Sequence, residues 1–208
     1  MTATGAFAPP DAVIEWGVAG RAFPGQSASG DRHVVAIFPG GALAAVIDGL
    51  GHGDEAAEAA QRAVDVLSED PGLSLGRLVE RCHAALRSSR GAVMTLAAFD
   101  SNQDQLTWTA VGNVEAALHR AGTGGPRESV VPRGGVVGYQ LPALRHVTLS
   151  VQPSDVLILA TDGVGHDFIL ETPSHGSTQG FADHLLDRYG KTTDDALVLV
   201  VRYLGRTQ

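Results

Sequence analysis

The sequence predicts an α+β fold in which largely antiparallel sheets carry helices packed on their outer faces. Two observations predict it. The apolar pattern reads strands, two helices, a run of strands, one helix and one strand, with no regular alternation and no repeat period, which excludes a doubly wound parallel sheet. The chain of 208 residues is also long enough to bury roughly 70% of the surface that its unfolded form exposes, so one layered core holds without covalent staples.

The first ten residues, rich in Ala, Thr and Pro, read as a frayed lead-in, and residues 11–208 as a single domain. Val13 to Ala22 and His33 to Phe38 read as strands, and Ala42 to Ile47 is an apolar run that stops at Asp48. Asp54 has the chemistry of an N-cap, with Glu55 in the first turn and Ala56, Ala60, Ala63, Val64 and Leu67 along one helical face. Ser74 is placed to cap a second helix, in which Leu75, Leu78, Val79, Cys82 and Leu86 recur at helical spacing. Both helices are amphipathic and should cover one sheet face.

From residue 92 the period changes. Val93 to Phe99 and Leu106 to Ala110 flank the polar turn Ser101 to Gln105, the pattern of a hairpin. Gly112-Asn113 reads as a turn before a strand at Val114 to Leu118, and Gly122 to Pro126 as a loop with too many glycines to order itself. Further strands are expected at His146 to Val151 and at Val156 to Ala160, the latter apolar throughout, as a strand buried on both faces would be. Thr178 to Tyr189 should be a helix ended by Gly190, and Ala196 to Tyr203 a final strand.

Composition narrows the functional classes. The net charge of −8 argues against nucleic acid as a partner, because nothing supplies a run of phosphate contacts. Cys82 is the single cysteine, which points to a reducing, cytoplasmic setting and to a role as core filler on its helix. No segment approaches 18 consecutive apolar residues, and no basic start precedes an apolar run, so neither a membrane nor an export signal is expected.

Four short acidic words carry the chemistry: Ser29-Gly30-Asp31, Asp48-Gly49-Leu50-Gly51-His52-Gly53, Thr161-Asp162-Gly163 and Asp194-Asp195. A lone Asp in a turn is ordinary, since its side chain caps neighbouring amides. Asp48 ends one apolar strand, Asp162 follows another and Asp194 precedes a third. If those strands lie side by side the carboxylates converge, and converging carboxylates repel unless hard cations neutralise them. Oxygen donors without a Cys or His pair favour Mg²⁺ or Mn²⁺ over zinc. Two such ions can activate a water and bind a phosphoryl oxygen. Gly49 and Gly51 would let the backbone approach a cation, with the Gly49 carbonyl as a donor. His52 has the chemistry of a general acid, or of a residue packing at a helix start.

With these words in place, the chain resembles the metal-dependent serine/threonine phosphatases of the type 2C (PPM) superfamily, in particular their compact SpoIIE-like branch. The resemblance runs from Glu15-Trp16-Gly17 to the last strand. It is carried by the four words together with Ser89-Arg90-Gly91-Ala92, Val111-Gly112-Asn113-Val114, Gly135-Val136-Val137-Gly138 and Ala160 and Ala196 beside the third and fourth words.

The resemblance implies a four-layer αββα sandwich with two mainly antiparallel central sheets and two Mn²⁺ or Mg²⁺ ions in its cleft. Asp48 would bridge the ions, the Gly49 carbonyl would bind one, Asp162 and Asp194 the other, and Asp31 would act as an outer-sphere ligand or as a ligand of a third metal. The catalytic set is therefore Asp48, Asp162 and Asp194. His52, Arg90 and Asp195 are candidates for substrate or acid roles, with Arg90 equally readable as a loop tie, and Asn113 and Gly138 read as turn formers. Where larger members have a His directly after the Asp-Gly pair this chain has Leu50, and Arg21 and Arg32 are the only candidates near the place of their phosphate-clamping Arg.

Implied substrates are phosphoserine or phosphothreonine on partner proteins, commonly STAS-domain regulators of stress signalling, handled by a monomer. Two rival readings are a binding module that keeps the fold without catalysis, and a small-molecule phosphoesterase. The second would want stacking aromatics in a cleft, where only Trp16 and Trp108 offer indoles, both in expected strands.

Overall fold

Alternation within single strands decides the layering. In the strand Gly41–Gly49, Ala42, Ala44 and Val46 face one core while Leu43, Ala45 and Ile47 face another, the period of two that a strand imposes on its side chains. Both faces are buried, so the strand must lie in a sheet covered on both sides. The last strand, Ala196–Tyr203, behaves in the same way: Leu197, Leu199, Val201 and Tyr203 point inward and Ala196, Val198 and Val200 outward.

The computed structural model describes residues 12–122, 127–173 and 176–206. The expected lead-in and most of the Gly122 to Pro126 loop lie outside the described residues. Its strands are β1 (Ile14–Arg21), β2 (Asp31–Phe38), β3 (Gly41–Gly49), β4 (Ala92–Asp100), β5 (Gln105–Val111), β6 (Glu115–His119), β7 (Arg127–Ser129), β8 (Val147–Ser150), β9 (Val156–Ala160) and β10 (Ala196–Tyr203). Helices α1 (Asp54–Glu69) and α2 (Leu75–Ala85) follow β3, α3 (Thr178–Tyr189) precedes β10, and a short 3-10 helix spans His166–Leu170.

The strands form two five-stranded sheets, β1-β10-β9-β6-β7 and β2-β3-β4-β5-β8, with every strand pair antiparallel. The inner faces enclose one core containing Trp108, Phe99, Leu157 and Tyr203. Helices α1 and α2 close a second core on the β2-containing sheet, and α3 with the 3-10 helix closes a third on the β1-containing sheet. The result is the four-layer αββα sandwich.

Cys82 is fully buried between α2 and the sheet, where burial pushes its thiol up to about 12. The core-filler reading holds. Trp108 is 2% exposed and central to the inner core. Trp108→Ala should therefore cost about 3–5 kcal/mol, measurable as a lower midpoint in urea unfolding.

Several boundaries differ from the sequence expectation. The N-cap of α1 is Gly53, at φ +78°, and Asp54 is the first helical residue. Two consecutive acidic residues still sit in the first turn, where the helix dipole favours them. Strand β2 starts two residues earlier than its apolar run because Asp31 pairs across to Asp48. Strand β7 and the 3-10 helix are too short, at 3 and 5 residues, to leave a periodic signal. Gly190 does end α3, but at φ −66°. It is needed for space, since a Cβ there would stand 2.5 Å from the Leu186 carbonyl oxygen and 2.7 Å from Arg21 Nη2. Among the described residues no helix is long and apolar enough to cross a membrane.

Candidate active site

Two pairs of neighbouring strands deliver the acidic residues to one end of the sandwich. On the β2–β3 ladder Asp31 lies directly opposite Asp48. On the other sheet β9 and β10 are adjacent and antiparallel, so Asp162, just past the end of β9, and Asp194, just before β10, emerge at the same edge. Asp48, Asp162 and Asp194 line a single cavity of about 540 Å³, together with Leu50, His52, Gly112 and Asn113. Three of the four words thus bring a carboxylate to one cavity wall.

The two loops on the β9–β10 side close on each other through Gly163. A Cβ at that position would stand 1.7 Å from the Asp195 carbonyl oxygen, so only glycine lets the Asp162 turn meet the Asp194-Asp195 segment. Gly163→Ala should force the loops apart, with a loss of about 3 kcal/mol, the upper end of the usual cost of overpacking, read as a fall in melting temperature. Gly49 has a similar reason on the other side: a Cβ there would stand 2.1 Å from the Ala56 carbonyl oxygen. Its small size admits helix α1.

Behind the cavity wall the remaining carboxylates are held by named partners. Asp31 is 4% exposed and its Oδ2 accepts the Thr161 hydroxyl at 2.7 Å, while Thr161 Oγ1 accepts the Leu197 amide at 2.9 Å. This chain of bonds ties the two sheets together beneath the site. Asp195 accepts the Phe23 and Gly30 amides at 2.7 and 2.8 Å. Both of its oxygens fasten the 22–30 segment.

Burial and mutual repulsion act strongly on this group. Burial first, then the nearby Asp31, Asp162, Asp194 and Asp195, pushes Asp48 up to about 8. Asp31 is pushed up to about 7, again chiefly by burial and by Asp195, Asp162 and Asp194, against the lowering effect of Thr161. Carboxylates so placed hold either protons or cations.

As they stand, no three His, Cys, Asp or Glu side chains among the described residues are grouped closely enough to hold a metal ion. Two of the rim carboxylates are turned to local partners: Asp162 Oδ2 accepts from Asn113 Nδ2 at 2.7 Å, and Asp194 Oδ1 from the Asp195 amide at 2.9 Å. Each of these bonds engages one oxygen of its carboxylate. The donor chemistry, carboxylate oxygens with one exposed imidazole at the rim, fits a hard divalent cation.

The other expected contributors separate. His52 lines the cavity and stacks on Phe23, with centroids 5.5 Å apart and planes at 25°. Arg90 is not among the residues that line the cavity and pairs with Glu55 in the first turn of α1. Arg21 Nη2 donates to the Lys191 carbonyl at 2.9 Å, and Arg32 Nη1 to the Ser29 and Asp31 carbonyls at 2.7 and 2.8 Å. Neither lines the cavity. Trp16 packs on His33 and Trp108 is buried in the core, so no indole offers the stacking surface that a nucleotide site would use. Gly138, at φ +100°, packs against Leu86 as a turn former should.

Three residues at the site were not singled out by the sequence for it: Thr161, Asn113 and Lys191. Lys191 Nζ donates to the Asp162 carbonyl at 2.6 Å. A signal existed, for Lys191 is the single lysine among 15 basic residues.

Comparison with known proteins decides the kinship. The family model for Stage II sporulation protein E (SpoIIE) matches residues 39–204. The chain belongs to the SpoIIE family. This SpoIIE-family chain is 25% identical over 181 residues to phosphoserine phosphatase RsbX of Bacillus subtilis (strain 168), covering 87% of this chain and 90% of RsbX. Its fold matches a crystal structure of RsbX in complex with magnesium, at 23% identity and a TM-score of 0.78 over 91% of this chain and 95% of that one.

It also matches a chain from a study of the bacterial stressosome as a modular system adapted to control secondary messenger signalling, at 29% identity and a TM-score of 0.83 over 91% of this chain and 99% of that one. The PP2C phosphatase domain of SpoIIE from Bacillus subtilis matches at 20% identity and a TM-score of 0.74, over 94% of this chain and 64% of that one. The SpoIIE-family chain is a phosphatase with the fold of a PP2C phosphatase domain.

Proposed function

We propose that this phosphatase hydrolyses phosphoserine or phosphothreonine on a signalling protein, with a STAS-domain regulator of the stressosome as the substrate class. The observation that carries the reading is the meeting of Asp48, Asp162 and Asp194, from opposite sheets, around one open cavity. The 25% identity to a phosphoserine phosphatase along nearly the whole of both chains supports it. All the principal acidic residues are in place, so a binding module that has lost catalysis is not favoured.

In this reading Asp48, the Gly49 carbonyl, Asp162 and Asp194 hold the cations, with Asp31 behind them. A pair of Mn²⁺ or Mg²⁺ ions, when bound, supplies Lewis acidity toward the phosphoryl group and an acidified water. The protein's own contribution is positional. The Asp31–Thr161–Leu197 bonds fix the two sheets at the spacing the carboxylates need, and Asp195 holds the 22–30 segment under the rim. His52, at the mouth, is placed to exchange a proton with a departing seryl or threonyl oxygen.

The chain carries a net charge of −8, so long-range attraction to an acidic phosphoprotein is absent and recognition rests on local shape. The test is incubation with phosphorylated STAS-domain proteins and Mn²⁺, with phosphosites followed by mass spectrometry. Loss of phosphate that stops on chelation is expected. Failure to release phosphate from any phosphoserine or phosphothreonine protein at saturating Mn²⁺ would overturn the reading.

A further inference from the structure

Asp162 is exposed at the rim, and a carboxylate in water turns freely about its last bond unless something holds it. Its backbone is fixed already. Lys191 Nζ donates to its carbonyl at 2.6 Å, the Val164 amide donates to the Thr161 carbonyl at 3.0 Å, and Gly163 is pressed against the Asp195 backbone. The carboxylate itself has one described side-chain partner, Asn113 Nδ2, at 2.7 Å from Oδ2.

Asn113 lies on the turn between β5 and β6, and the antiparallel pairing of β6 with β9, Glu115 opposite Ala160, brings it level with Asp162. It follows β5 and Gly112, which sits at φ +92° and whose amide is tied to the Arg133 carbonyl at 2.8 Å. The turn that presents the amide is therefore anchored independently of Asp162. We propose that Asn113 is a positioning residue for Asp162: its amide takes the outer oxygen, fixes the plane of the carboxylate and leaves the other oxygen for a divalent cation in the cavity. The inference rests on the metal-dependent reading above and deepens it.

The residue type is what the task requires. An Arg or Lys at this position would form an ion pair with Asp162 and compete with a cation for its charge, and an Asp would add another repelling carboxylate to a group already burdened with them. A neutral amide donates one hydrogen bond and leaves the charge available, which is how outer partners orient ligands in metal sites. The same bond accounts for why a turn at the cavity wall carries Asn when its left-handed position is filled by Gly112.

The experiment is titration calorimetry with Mn²⁺ alone on the full chain, comparing the native protein with Asn113→Ala and Asn113→Ser. The serine keeps a turn-forming residue, but its hydroxyl is too short to span the gap. Both variants should bind Mn²⁺ about tenfold more weakly, while the melting temperature without metal stays at the native value because Asn113 is exposed. Native affinity in both variants overturns the proposal, as does a fall in metal-free melting temperature that accounts for the whole loss. Absence of Mn²⁺ binding by the native protein is a different result, and it removes the metal-dependent reading itself.

Discussion

Asp48→Asn should abolish turnover and at the same time raise the melting temperature of the metal-free protein. The two effects have one cause. Asp48 lies half-buried at the end of β3, opposite Asp31 and facing Asp162 and Asp194 across the cavity, and its ionised form is penalised by burial and by four neighbouring carboxylates. Asparagine has nearly the same shape and no charge, so the penalty disappears and the folded state gains. A cation then loses the donor that the other carboxylates surround.

Replacing an outer partner of a metal ligand typically costs about 10–100-fold, and loss of a central ligand should exceed that, by about 10³-fold or more in kcat/KM toward a generic phosphate ester. Asp162→Asn should lose activity to a similar degree. A variant at Asp48 that retains native turnover, or that loses activity only because it no longer folds, would contradict the assignment.

The stabilisation conferred by Mn²⁺ should grow steeply with pH. Asp31 and Asp48 stand at about 7 and about 8 in the fold, against an ordinary value of 3.8. Because the folded values are raised, the metal-free native state binds these protons more tightly than the unfolded chain does. Their contribution to stability is fully present below about pH 4 and is lost as pH climbs through 7 and 8. Cations take over the role of the protons.

Around pH 5 Mn²⁺ should therefore raise the melting temperature by only a little, and at pH 8 to 8.5 by ~10 °C or more, since each pKa unit is worth about 1.4 kcal/mol and each kcal/mol about 2–4 °C in a domain of this size. The measurement is a thermal melt with and without Mn²⁺ across that range. A metal-induced gain that is flat or falls with pH would show that Asp31 and Asp48 do not carry the charge in question. Asp31→Asn should flatten the lower part of the profile and Asp48→Asn the upper part.

Much of the fold was legible along the chain. The change from helical spacing in Leu75, Leu78, Val79 and Cys82 to alternation in Leu106, Trp108 and Ala110 marks a switch of secondary structure that no tertiary contact overrides. The apolar run Val156 to Ala160 announced a strand covered on both faces, and all five of its residues are buried. What escaped were elements whose stability comes from elsewhere. Strand β7 exists through pairing with β6, and the first residues of β2 through the Asp31–Asp48 register.

The acidic words were equally visible, but their individual employments were not. Asp195 stands beside Asp194 in sequence, yet its carboxylate points to the Phe23 and Gly30 amides while Asp194 lines the cavity. Asp194 lies in the bend that leads into β10 and Asp195 just after it, so one letter in the sequence separates a candidate ligand from a brace. Asn113 read as a turn residue because Gly-Asn is turn chemistry. Its bond to Asp162, 49 positions away, arises only when β6 pairs with β9, a register of Glu115 opposite Ala160 that brings positions 113 and 162 level.

The sequence by itself determined that strands would alternate, that two amphipathic helices would cover a sheet, and that four carboxylate-bearing turns would be available, because these follow from local periodicity and turn chemistry. The tertiary structure alone decided which carboxylates share a cavity, which are buried behind it and which amide holds each one. Those outcomes depend on how two sheets stack and on the register between strands distant in the chain, and packing of that kind leaves no mark on any short stretch of residues.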